Sequence, residues 1–120
     1  LSAHKIVGAW LLDRPAGLLT RLAKSRSLWR RRIAIVATAA FIGAGRFDET
    51  FRVADLLMKD RHDLIHKATG WMLREVGKRD KAALVAFLRP RQRAMPRTML
   101  RYAIERFPEA ERKRYLEGNA

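Results

Sequence analysis

The sequence predicts an all-α fold, a HEAT-like helical-repeat segment of about eight short helices. Three observations carry that expectation. Apolar residues recur at helical spacing along the whole chain, while strand-like alternation is nearly absent. Punctuating residues suited to helix starts and stops separate the periodic stretches. The stretches also recur in pairs. Leu28 to Ile42 lines up with Leu64 to Lys78 at an offset of 36, and Met99 to Phe107 lines up with Ile65 to Leu73 at an offset of 34. A period near 35 with two helices per unit suggests an α-solenoid, in which each hairpin buries its apolar face against the next.

The elements follow in order. Ala3, Ile6, Val7, Trp10 and Leu11 share one helical face, and Trp10 reads as core. Pro15 suits the start of a second helix, carrying Leu18, Leu19 and Leu22. Ser27 is the expected N-cap of a long apolar helix ending near Gly43 to Gly45. Asp48 is the expected N-cap of the next, with Phe47 as a hydrophobic staple. A helix from about Asp63 to Lys78 comes next, and Asp80 is placed to cap another through Leu88. Arg89 to Arg97 carries two prolines and reads as a connector. Pro96 and Pro108 each suit a helix start.

The 120 residues fit one domain, 1–120, with a modest core. Cysteine is absent, which excludes disulfide and thiolate chemistry. No apolar run reaches the ~18 residues of a membrane span, and no secretory signal is evident. The net charge is +14, with 19 arginines among the 26 basic residues. That exceeds the ~2–8 units of a small soluble domain. Such an excess draws polyanions, nucleic acid first and an anionic membrane surface second. Arginine-rich composition also arises from genomic base bias.

Placement on a helical wheel divides the stretch "SLWRRRIAIV" (Ser27 to Val36). Arg30 and Arg31 fall on or beyond the edges of the apolar arc. Arg32 falls inside it, between Leu28, Ala39 and Val36. Guanidinium stays charged and needs partners there. Three outcomes are open: Arg32 snorkels to water, pairs with a buried carboxylate, or projects into the groove between helices and holds a phosphate. Glu75, inside the arc of the following inner helix, is the candidate carboxylate. On that helix Lys67, Arg74 and Lys78 stand beside Trp71. A tryptophan bordered by cations suits a surface that contacts nucleic acid; a half-buried core tryptophan with solvated neighbours is the plainer alternative.

Other sites are not supported. "HDLIH" (His62 to His66) has the spacing of a zinc-binding helix but lacks the glutamate base, and solvated helix-start residues account for it better. Ser2, Ser25 and Ser27 have no base arranged beside them. No phosphate-binding glycine loop is present. No metal or cofactor is expected.

The stretches "IVGAWLLDRP" (Ile6 to Pro15), "SLWRRRIAIVAT" (Ser27 to Thr38) and "HKATGWMLREVGKRD" (His66 to Asp80) resemble the later part of the bacterial DNA alkylation repair enzymes. These are HEAT-like-repeat DNA glycosylases. The resemblance runs from Leu1 to about Leu116. It implies a superhelix with a basic concave face that holds duplex DNA containing N3- or N7-alkylated purines, whose cationic base is already a good leaving group. It implies no metal and no cofactor. An aspartate carboxylate stabilises positive charge on the sugar without the base being flipped into a pocket, beside tryptophans and an arginine. By resemblance the arginine matches Arg32 and one tryptophan matches Trp71.

The resemblance also implies a departure. The family's aspartate lies in a short "WDxVD"-like motif that immediately precedes the segment matching "LSAHKIVGAW", and Asp13 lies in the wrong place to substitute. The expectation is a C-terminal portion of a glycosylase whose aspartate falls just before Leu1, binding DNA with little or no excision alone. Arg30, Arg31, Arg32, Lys67, Arg74 and Lys78 are the expected DNA contacts, with Arg32 and Trp71 at the reaction site. Thr69 in "KATGW" is less apolar than that position leads one to expect. Further expectations are a cytoplasmic, nucleoid-associated protein and self-association through an exposed apolar end face. The alternatives are a non-catalytic HEAT-like nucleic-acid-binding module and a protein-interaction scaffold.

Overall fold

A computed structural model describes residues 17–120. These form eight helices and no strand: α1 (Gly17–Ala23), α2 (Leu28–Val36), α3 (Ala39–Gly43), α4 (Asp48–Leu56), α5 (Asp63–Arg79), α6 (Lys81–Leu88), α7 (Arg97–Ala103) and α8 (Glu109–Leu116). The architecture is all-α and consistent with a helical-repeat segment. The expected first helix with Trp10, and the Pro15 helix start, lie outside the described residues.

Local chemistry accounts for most boundaries. Ser27 caps α2, its Oγ accepting from Arg30 N at 3.4 Å. Asp80 caps α6, its Oδ1 accepting from Ala83 N at 3.1 Å. Pro96 and Pro108 stand immediately before α7 and α8, where a missing N–H costs nothing. Two boundaries differ from expectation. The N-cap of α4 is Phe47, and Asp48 is instead the first helical residue, where its charge suits the helix dipole. The single long helix expected after Ser27 is two. Thr38, fully buried, donates from Oγ1 to Ile35 O at 2.6 Å, and its N–H bonds the same carbonyl at 3.1 Å. This back-bonding tightens the turn and ends α2 one residue before Ala37. Gly45, at φ 78°, then turns the chain after α3 in a conformation that favours glycine.

Helices α2, α5 and α7 pack side by side, with α5 central. Adjacent residues of α5 serve opposite sides of the core. Met72 belongs to a cluster with Leu19, Ile35, Val53 and Ile65; Leu73 belongs to one with Leu84, Leu88, Met99 and Leu100. Phe51 of α4 packs against both and stacks on Phe87 of α6, ring centroids 4.6 Å apart. Phe51 and Phe87 are 36 apart in sequence, as are Asp55 and Arg91, which form a two-pronged ion pair at 2.7 and 2.9 Å. The repeat offset read from the sequence thus reappears as contacts between successive hairpins.

Gly70 permits a close approach of α5 and α7. A Cβ there would lie 2.5 Å from Met99 O and 2.5 Å from Tyr102 Cβ. Only glycine lets α5 and α7 cross at this distance. The crossing brings Tyr102 beside the residue that follows Gly70, which is Trp71.

Candidate nucleic-acid interface

The crossing of α2, α5 and α7 opens a cleft of about 350 Å³, lined by Arg32, Leu64, Lys67, Ala68, Trp71, Arg74 and Tyr102. Arg32, Ala68 and Tyr102 occupy corresponding repeat positions, at the offsets of 36 and 34. One equivalent position from each of three inner helices therefore faces the same space. Trp71 is half-buried, packed against the first core cluster with part of its indole on the cleft.

A second groove of about 500 Å³ adjoins the cleft and shares Arg74 with it; its other lining residues are Lys78, Glu105 and Arg106. The fold thus gathers Arg32, Lys67, Trp71, Arg74 and Lys78 along one face. Arg30 does not join them. Its side chain is exposed at the start of α2, outside both grooves.

Arg31 is drawn into the fold. Its Nε donates to Asp60 Oδ2 at 2.7 Å, and its Nη1 donates to Ser25 O at 3.2 Å and Arg26 O at 2.9 Å. The Asp60 side chain is only 8 % exposed. Arg31 thereby ties the turn before α2 to the loop before α5.

Arg32 is not paired with Glu75. That carboxylate instead holds Lys78 at 2.9 Å, one turn along its own helix. The i,i+3 partner is prepositioned on the same helix, while Arg32 lines the cleft between the helices. Pairing with Glu75, the carboxylate weighed for Arg32, is therefore excluded. Arg32 makes no ion pair among the described residues, unlike Lys67, Arg74 and Lys78. Lys67 pairs with Asp63 at 3.3 Å, and Arg74 pairs with Glu105.

Both histidines of "HDLIH" have local partners. His62 caps α5, its Nδ1 accepting from Leu64 N at 3.2 Å, and His66 Nε2 contacts Asp60 O. Among the described residues, no group of three or more metal-ligating side chains is assembled. No helix among them is long and apolar enough to cross a membrane.

The cleft thus combines an indole, a phenol and convergent cations, and no carboxylate among the described residues lines it. Sequence reasoning missed Tyr102 and Arg106. Tyr102 was within reach, since the offset of 34 aligns it with Ala68. Arg106 is reached only through the packing of α7 on α5.

The DNA alkylation repair enzyme family matches residues 1–107. The chain belongs to that family. Membership in the DNA alkylation repair enzymes supports a repair role and implies DNA as a partner. No curated protein and no solved structure matches the chain.

Proposed function

We propose that these residues are the duplex-binding C-terminal portion of a HEAT-like-repeat DNA glycosylase that excises N3- and N7-alkylated purines, with 1–120 as a single domain. The observation that carries the reading is Arg32. It stands in the same cleft as Trp71 and, among the described residues, is paired with no carboxylate. A guanidinium so placed is suited to a bidentate phosphate contact. An indole face beside it is suited to a sugar carrying positive charge. Lys67, Arg74 and Lys78 extend the positive field along the backbone of a bound duplex.

Cleavage of the glycosidic bond leaves positive charge on the sugar, and a carboxylate lowers that barrier most directly. In this reading the family's aspartate stands outside the 120 residues. The residues at hand bind duplex and excise little or nothing. The whole protein is the glycosylase, needs no metal or cofactor, and works in the cytoplasm at the nucleoid. Among the described residues no carboxylate lines the cleft, which favours a second reading, a non-catalytic nucleic-acid-binding module.

The two are separated by a base-release assay. A duplex carrying one N7-methylguanine is incubated with this segment and with the product of the complete gene. Excision by the complete product and not by the segment supports the glycosylase reading. Binding without excision by both sinks it in favour of the passive module. A segment that binds no duplex at low salt sinks both.

A further inference from the structure

We propose that Arg74, Lys78 and Arg106 form a second backbone-phosphate subsite for duplex DNA, in which the Glu105 carboxylate holds the place of the phosphate until DNA displaces it. The proposal rests on the reading of the cleft as a duplex-binding face.

The geometry is specific. The adjoining groove of about 500 Å³ is lined by three cations and one acid. The acid is paired with Arg74, the residue that also lines the Arg32–Trp71 cleft. Arg106 makes no side-chain hydrogen bond or ion pair among the described residues. Among the described residues Lys78 pairs only with Glu75, on its own helix. The groove therefore presents a cation excess around a single carboxylate, and a carboxylate and a phosphate oxygen meet a guanidinium in the same way.

Helix stability does not account for an acid at this position. Glu105 follows α7, whose carbonyl end repels negative charge. Nor does burial account for it, because the Glu105 side chain is 60 % exposed. An exposed pair is held weakly, so an arriving phosphate can take its place. The Arg74 side chain is 21 % exposed and is already turned into the groove. Glu105 thus orients Arg74 for an oxyanion while cancelling its charge when no DNA is bound. Glu105 is a positioning residue that acts through Arg74.

The test is a double-mutant cycle read by fluorescence anisotropy with a labelled undamaged duplex at low salt. Glu105→Gln is expected to tighten binding about two- to fivefold, the range set by losing one exposed ion pair. Glu117→Gln, an equal charge change in a different groove, is expected to have a smaller effect. In an Arg74→Met background, Glu105→Gln is expected to lose its advantage. Arg106→Met is expected to weaken binding and flatten the salt dependence.

A Glu105→Gln gain no larger than that of Glu117→Gln, or one that survives Arg74→Met, overturns the subsite while leaving duplex binding intact. If the starting protein binds no duplex, the broader reading falls and this one with it. Repeating the cycle in inorganic phosphate at matched ionic strength distinguishes the source. An unchanged cycle supports backbone phosphate, and a cycle erased by free phosphate overturns the assignment to duplex.

Discussion

Arg31 donates to Asp60 at 2.7 Å, while its neighbour Arg32 lines the cleft with no ion pair among the described residues. Two adjacent cations of one helix turn therefore do different work. Arg31→Met removes the partner of a nearly buried carboxylate and three hydrogen bonds. It is expected to cost about 1–3 kcal/mol in denaturant unfolding. Arg32→Met is expected to leave the unfolding midpoint nearly unchanged. It weakens duplex binding and lowers the slope of log affinity against log salt by about one. The reverse pattern would overturn the division.

Gly70→Ala tests the crossing that forms the cleft. An added Cβ meets Met99 O and Tyr102 Cβ, each at 2.5 Å. A backbone oxygen cannot rotate away, so α7 must shift. The expected loss is about 1–3 kcal/mol, with weaker duplex binding in the fraction that folds. A thermal melt equal to that of the starting protein would show that the helices are not so close.

Thr69→Val is expected to stabilise the protein. Thr69 is fully buried, and its Oγ1 has no hydrogen-bond partner. Replacing that hydroxyl by a methyl of the same shape removes an unmet polar group at little cost in packing. A gain of about 1 kcal/mol in chemical denaturation is expected. Loss of stability would mean that the hydroxyl is satisfied in solution.

Tyr115 links stability to alkaline pH. Its side chain is 1 % exposed, and burial raises its pKa above 10.0, opposed in part by the nearby Arg89 guanidinium. The folded state therefore disfavours the phenolate relative to the unfolded chain. Its contribution is complete below the unfolded pKa, about 10, and is lost as pH rises through the higher folded value. Tyr115→Phe is expected to flatten the fall in melting temperature across that alkaline range. An unchanged profile would assign the fall to other groups.

Local chemistry was legible because it is encoded within a turn or two. Ser27 and Asp80 are side chains that cap the helices following them, and both do so. The pairs Asp63–Lys67 and Glu75–Lys78 have ordinary intrahelical spacing. His62 was harder to foresee as the cap of α5, because imidazole is not a usual cap. Phe47, capping α4 without a side-chain bond, gives no such signal at all. The break at Thr38 depends on whether its hydroxyl bonds its own helix, and burial settles that.

The amino-acid sequence by itself determined an all-α chain with a period near 35 and a strong positive charge, while of the three arginines expected on the α2 face only Arg32 lines the cleft. Periodicity and composition are properties of the chain, so they survive without coordinates. The tertiary structure alone decided which cations keep their charge available. It committed Arg31 to Asp60, gave Glu75 to Lys78, set Glu105 against Arg74, and left Arg32 in the cleft. The reason is physical. A long-range ion pair depends on distances of a few ångströms between helices, and those are fixed only when residues as distant in sequence as Gly70 and Met99 come together.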